Sequence, residues 1–265
     1  MTIESISKLR KICQETREDQ YFQMGWFPKH VTRRISIYFT KPCLKMGISA
    51  NQATIISLAF TIVGGVFFIL PDPRWWLLGA LLCYGFSIFD CVDGEIARYK
   101  KTSSIFGAVL DSTAGIFSYL YILACITLGT FNSLHNNIVL IFGFLAVIAF
   151  ALQQVSHYTT LAVAHRKGFW PDNITTKPVT EEPIVLHYGR LIYRALFFIS
   201  GLGIIPHIFV VALIDIFVHP FTMFSFTYNA RFIYLVVLGL GHLAGLIAQY
   251  FYDIAVVGKA IKRKT

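Results

Sequence analysis

Apolar residues in this chain come in long runs separated by short polar breaks. A bilayer core takes about 20 apolar residues, with a range of about 17–25. Six runs meet that length, at 53–70, 75–98, 105–128, 138–163, 191–217 and 231–257. The breaks carry turn-forming residues: PDPRW at 71–75, GTFNSLHNN at 129–137, HRKGFWPDNITTKPVTEEP at 165–183 and HPFTMFSFTYN at 219–229. The pattern predicts an all-α, polytopic integral membrane protein with six transmembrane helices. The first 50 residues differ. Ile3, Ile6, Leu9 and Ile12 recur at helical spacing, as do Ile35, Tyr38 and Phe39, followed by Leu44 and Met46. Lys8, Arg10, Lys11, Arg33 and Arg34 take other faces. One or two amphipathic helices lying in the membrane interface are expected there. The chain so divides into an interfacial segment, 1–50, and a six-helix domain, 51–265.

Composition supports that division. Of the 265 residues, 55% are hydrophobic and 14% charged, against about 25% charged in soluble domains. Mean hydropathy is +0.61. The net charge of +9 follows from topology and not from nucleic acid, because no basic run is interleaved with exposed stacking residues. All Lys and Arg except Arg74 and Arg231 fall in the N-terminal segment, around Arg98, in 165–194 or in the C-terminal tail. The positive-inside rule then puts both termini, and the Arg98 end of the second span, in the cytoplasm. The five cysteines form no CxxC pair and read as small core residues.

Candidate chemistry concentrates between Phe89 and Gly115, FDCVDGEIARYKKTSSIFGAVLDSTAG. On a helix, Asp93, Gly94 and Ala97 fall within about 60° of Asp90. Two carboxylates therefore share a face with two small residues that leave room for a ligand. Arg98, at the cytoplasmic edge, can offer a forked donor to a phosphate. On the next span Ser104, Gly107, Asp111 and Gly115 align. Gly107 permits close packing of the two helices, which brings Asp111 towards Asp90 and Asp93. An aspartate in mid-membrane costs about 3 kcal/mol, so three together call for cations. All-oxygen donors select Mg²⁺ or Mn²⁺ over Zn²⁺. Mg²⁺ commonly completes its shell with substrate phosphates, which points to a pyrophosphate-containing substrate. The competing account is a buried cluster neutralised by protonation or by Arg98.

These residues resemble the signature of the CDP-alcohol phosphotransferase family: DxxDGxxAR, eight residues (here Tyr99 to Phe106), then GxxxDxxxD. Asn51 to Thr54, NQAT, resembles the family's Asn-x-x-Thr element at the start of the first span. The resemblance implies a homodimer among membrane lipids. It implies a CDP-linked lipid or alcohol donor, an alcohol acceptor whose hydroxyl attacks phosphorus, and release of CMP. By position it assigns two metal ions, Mg²⁺ or Mn²⁺, to Asp90, Asp93 and Asp111. Asn51, Thr54, Gly94, Ala97, Arg98, Ser104 and Gly107 fall to donor binding. The chain departs from the signature at its last aspartate, where it has Gly115. The family implies a metal ligand and general base there, a contribution of about 10²–10⁴ in rate. Three accounts are open. Another group takes the proton, either His157 or a water linked to Asp111. Or the acceptor is acidic enough to need little help. Or the chain is inactive.

Elsewhere, Gln153, Gln154, Ser156 and His157 place polar groups inside the fourth span, for interhelical bonding or a pocket. His187, Arg190 and Arg194 open the fifth span on the cytoplasmic side. They suit an acidic acceptor, or plain positive-inside anchoring. Asp215, His242 and Asp253 stand isolated and suggest no role. Three function classes follow: the transferase, a catalytically impaired member that binds nucleotide or lipid or scaffolds a partner, and a transporter with an intramembrane ion path. The glycine and arginine of DGxxAR argue against the last, since ion transport needs neither.

Overall fold

The computed structural model describes residues 3–15, 28–166, 204–218, 220–223 and 226–262. Among these, α1 is Ile6–Cys13, and a π-helical turn at Pro28–Thr32 runs into α2, Arg33–Lys45. Then come α3 (Ala50–Ile69), α4 (Pro73–Lys100), α5 (Ile105–Leu134), α6 (Ile138–Arg166), α7 (Ile204–Phe217) and α8 (Ala230–Lys262). Within the loop expected at 219–229, β1 (Phe221–Met223) and β2 (Phe226–Tyr228) form an antiparallel ribbon with Phe221 opposite Tyr228.

The protein is an all-α polytopic membrane protein. Among the described residues, five helices, α3, α4, α5, α6 and α8, contain stretches long and apolar enough to cross a bilayer. Six were expected. The fifth expected span, 191–217, is represented by α7 alone, a shorter apolar helix, and 191–203 lie outside the described residues.

Local chemistry sets the helix ends. Ser49 and Gln52 form a reciprocal capping box at α3, with bonds of 3.2 and 2.8 Å. Asp72 caps α4, accepting from the Arg74 amide at 2.9 Å, and Pro73 occupies the first turn. Ser104 caps α5. Lys101 and His135 end α4 and α5 in left-handed conformations. The connections from α3 to α4 and from α4 to α5 are only a few residues long. The start of α3, the end of α4 and the start of α5 therefore lie at one end of the bundle.

Packing follows the small residues. A Cβ on Gly64 would stand 3.0 Å from the Gly79 carbonyl oxygen, and one on Gly79 would stand 2.9 Å from that of Gly64. Glycine at both positions lets the α3 and α4 backbones touch. Helix α3 also packs on α5, α4 on α7, and α6 on α5 and α8. The N-terminal segment shares this architecture. Leu9, Cys13, Ile37, Cys43 and Leu44 form one apolar cluster with Ala53 of α3 and Ile88, Val92 and Ile96 of α4. Tyr38, Phe39 and Met46 remain exposed. Of the two adjacent arginines, Arg34 is exposed and Arg33 is buried against the bundle.

Arg231 is not a loop charge. It is buried and pairs with Asp215 at 2.5 Å. It also donates to the Pro71 carbonyl at 2.8 Å and to Ser133 Oγ at 2.9 Å. Its guanidinium lies 5.1 Å from the centroid of the Trp76 ring. Asp215 additionally accepts from the Ala230 amide at 2.8 Å. The aspartate that looked isolated in the sequence thus joins α7 to the start of α8. Gln153 is buried with Nε2 3.2 Å from where a Gly245 Cβ would sit, so it faces α8 across a helix interface.

Candidate active site at the meeting of α3, α4 and α5

Thr54 and Asp93 are both buried and directly joined: the Thr54 hydroxyl donates to an Asp93 carboxylate oxygen at 2.7 Å. This bond connects the Asn-x-x-Thr element to the DxxDG element. Asn51, one turn earlier, presents Oδ1 beside Gly107 of α5, 3.3 Å from where a Cβ would be. Ser104 Oγ stands 3.2 Å from that point and accepts the Gly107 amide at 3.0 Å. Gly107 is therefore the place where side chains from α3 and the α5 cap meet, and any larger residue would press on both.

Gly94 has a comparable role on α4. A Cβ there would meet Arg98 Nη1 at 3.0 Å and Nη2 at 3.4 Å. The guanidinium folds back over the glycine, towards the carboxylates, instead of extending into solvent. Its Nε donates to the Cys13 carbonyl at 2.6 Å. Arg98 is within electrostatic range of Asp93 and Asp111. Ala97, half-buried on the same helix, accepts the Thr102 amide at 3.0 Å as α4 ends.

Asp90 is half-buried and within electrostatic range of Asp111, Asp93 and Arg33. Asp111 is exposed. The three carboxylates are neighbours, yet among the described residues no three His, Cys, Asp or Glu side chains converge into a ready-made metal cage. Asp93 is bonded to Thr54, and Asp111 is exposed. The donor set still suits a hard divalent cation, being all carboxylate and bordered by hydroxyl and amide oxygens. At Gly115 a Cβ would meet nothing within 4 Å. Among the described residues, the signature's missing carboxylate leaves open space that no other side chain has filled.

His157 is not brought to the carboxylates by any contact among the described residues. It is exposed on α6, its ring edge-on to Tyr158 at a centroid distance of 5.4 Å. Among the described contacts none links it to Asp90, Asp93 or Asp111. His187, Arg190 and Arg194 lie outside the described residues.

Two buried charged residues near the site escaped the sequence reading. Arg33 looked like one face of an amphipathic helix, and Glu95 like a variable position inside DGxxAR. Glu95 is fully buried and accepts hydrogen bonds from Gln14, Ser36 and Thr40. The one available signal was an acidic residue on the face of α4 opposite the motif, where Val92 and Ile96 are its apolar neighbours.

The phosphatidylinositol phosphate synthase of Corynebacterium glutamicum is 34% identical over 73 residues, which make up 28% of this chain and 32% of that protein. The archaetidylinositol phosphate synthase of Pyrococcus horikoshii is 37% identical over 89 residues, 34% of this chain and 46% of that protein. The chain thus spans a third to a half of the length of these curated relatives. In fold it resembles the crystal structure of Mycobacterium tuberculosis phosphatidylinositol phosphate synthase with CDP-DAG bound. The TM-score is 0.56 at 18% identity, over 83% of this chain and 94% of that one. A second crystal structure of that enzyme, with manganese and citrate, gives a TM-score of 0.53 at 19% identity, over 83% of this chain and 88% of the other. Residues 48–180, half of the chain, match the sequence model of the CDP-alcohol phosphatidyltransferases, and the chain belongs to that family.

Proposed function

We propose that this protein transfers a substituted phosphate from a CDP-linked lipid, such as CDP-diacylglycerol, to an alcohol, releasing CMP. The observation that carries the reading is the Thr54–Asp93 bond at 2.7 Å. It locks two separate signature elements into one constellation at one end of the bundle. The family and the CDP-DAG complex of a structural neighbour support a CDP-linked lipid as donor. In this reading Asn51, Thr54, Ser104 and Gly107 border the nucleotide. Arg98, held over Gly94, binds donor phosphate as a forked cation. The acceptor oxygen forms a new bond to the donor's lipid-side phosphorus. The pyrophosphate P–O bond breaks with its electron pair on CMP, and the hydroxyl proton must leave. Asp111 is the group to take it, directly or through water, because it is the exposed carboxylate of the three.

Two Mg²⁺ or Mn²⁺ ions on Asp90, Asp93 and Asp111 would supply charge neutralisation at the pyrophosphate and make CMP a better leaving group. The manganese complex of the M. tuberculosis enzyme supports a divalent ion. Because relatives are named for phosphatidylinositol phosphate synthesis, an anionic polyol such as inositol phosphate is the first acceptor to try, with Arg190 and Arg194 as candidate receivers. A homodimer, an interfacial N-terminal segment, and termini and site facing the cytoplasm belong to the same reading.

The test is CMP release from CDP-diacylglycerol by purified protein with a panel of alcohols including inositol and inositol phosphate. Activity should require Mg²⁺ or Mn²⁺, vanish in EDTA, and be abolished by Asp93→Asn. CMP release that persists in EDTA would refute the metal-assisted reading. Gly115 favours a second reading, a member that binds CDP-linked lipid without turning it over. Donor binding with no CMP release from any alcohol would select it.

A further inference from the structure

The N-terminal helix α1 reaches the candidate site through its last turn. Its docking on α4 has three polar points. Near its N-terminus, the Tyr99 hydroxyl donates to the Glu4 carboxylate, a bond that holds that carboxyl below the usual range. At its C-terminus, Cys13 presents its backbone carbonyl to Arg98 Nε at 2.6 Å. The next residue, Gln14, spends both amide hydrogens: one on the Arg33 carbonyl at 2.8 Å, one on Glu95 Oε1 at 2.7 Å. Leu9 and Cys13 fill the apolar gap between these points.

Glu95 is the centre of this junction. Its carboxylate is fully buried and receives three donors from two helices: Gln14 at 2.7 Å, Ser36 Oγ at 2.6 Å and Thr40 Oγ1 at 2.5 Å. An ionised carboxylate is acceptor-only and has about four lone-pair sites, so it suits three converging donors. A buried carboxylate is costly unless hydrogen-bonded, and here the bonds run to the segment that carries Cys13. Residues 95 and 98 lie about one helical turn apart on α4. The same helix therefore holds both the anchor for α1 and the arginine that α1 orients.

We propose that Glu95 is a positioning residue for Arg98: by fixing the end of α1 on α4, it sets the Cys13 carbonyl that steers the guanidinium over Gly94. The inference rests on the reading above, in which Arg98 binds donor phosphate. It assigns α1 a part in donor binding beyond attachment to the membrane surface. The two α2 hydroxyls have other acceptors within α2: Ser36 also reaches the Arg33 carbonyl at 3.2 Å, and Thr40 the Ser36 carbonyl at 3.2 Å. The Glu95 bond to Gln14, at 2.7 Å, is the one that reaches the segment carrying Cys13.

A double-mutant cycle in full-length protein tests this, with CDP-diacylglycerol affinity in Mg²⁺ as one readout. The rate of tryptic cleavage at Lys8, Arg10 and Lys11 is the other, and it reports α1 docking without any ligand. Glu95→Gln and Gln14→Ala should each speed that cleavage and weaken donor binding about tenfold, the scale of a displaced charge-assisted hydrogen bond. In an Arg98→Ala background neither should weaken it more than about twofold, because the group they position is gone. Gln14→Ala leaves Glu95 its two hydroxyl partners, so it keeps the test alive if Glu95→Gln folds poorly. Additive losses in the two backgrounds, or faster cleavage with unchanged affinity, would overturn the inference alone. Wild-type protein that binds no CDP-linked lipid would overturn the functional reading and this inference together.

Discussion

The guanidinium of Arg98 lies so close over Gly94 that a Cβ at residue 94 would stand 3.0 Å from Nη1. The glycine of DGxxAR is thus explained by the arginine of the same motif. Helical geometry stacks the two residues one turn apart, and a methyl at residue 94 would push the planar fork away by a few tenths of an ångström.

Gly94→Ala separates binding from stability. Alanine in mid-helix stabilises by about 0.5–1 kcal/mol relative to glycine. The new methyl meets only the flexible end of Arg98, which can swing away. The melting temperature should hold or rise slightly, while affinity for CDP-diacylglycerol falls about tenfold. Thermal unfolding and a binding isotherm on the same preparation check both halves. Unchanged affinity would remove Arg98 from the donor site.

The membrane class, the existence of the apolar helices α3 to α6 and the starts of α5 and α6 were legible in the sequence, whereas α5 runs on to Leu134, into the break expected at 129–137. Long apolar runs and caps such as Ser49, Asp72 and Ser104 are local signals. So is a motif whose members sit at helical spacing. What was not legible depends on which helices meet. Arg33 and Arg34 look alike in sequence, yet one is buried and one exposed, because only Arg33 faces the bundle. Asp215 and Arg231 are 16 positions apart and have no periodic relation. His157 is exposed on α6 among the described residues, and its polarity within an apolar run does not say which helix that face meets. Glu95 sits inside the motif but on the opposite face of α4, where it holds α1 and α2.

The Asp215–Arg231 pair should be a strong stability determinant. Both side chains are 3% exposed, and removing one partner of a buried pair costs about 3–5 kcal/mol by leaving the other charge uncompensated. Arg231→Met and Asp215→Leu should each lower the melting temperature in detergent markedly. The double variant should recover part of the loss. It should not recover all, because Arg231 also binds Pro71 and Ser133. Single variants as stable as wild type would show that the pair is not formed.

Orientation can be read with two exposed residues at opposite bundle ends, Ser103 before α5 and Asn137 before α6. Four of the native cysteines are buried and Cys91 is half-buried, which keeps background labelling low. Impermeant maleimide should label Asn137→Cys from outside intact cells, and Ser103→Cys only after permeabilisation. The reverse pattern would place the site away from cytosolic nucleotides and reject the cytoplasmic assignment.

Gly115 decides between a working transferase and a binding protein. It lies one turn beyond Asp111 on α5, and a Cβ there meets no atom of the described residues within 4 Å. Gly115→Asp therefore adds a carboxylate without forcing a neighbour to move. If the chain is a transferase weakened at this position, the substitution restores a metal ligand and a base together. CMP release should then rise by about 10² or more, the range of general-base contributions. If Asp111 already serves as proton acceptor, the gain should be small. Asp111→Asn should then abolish turnover, while His157→Ala, on an outward-facing helix surface, should change it by less than about threefold. A large loss in His157→Ala would bring that histidine into the chemistry. No CMP from either the native chain or Gly115→Asp, with CDP-linked lipid still bound by both, would establish the non-catalytic reading.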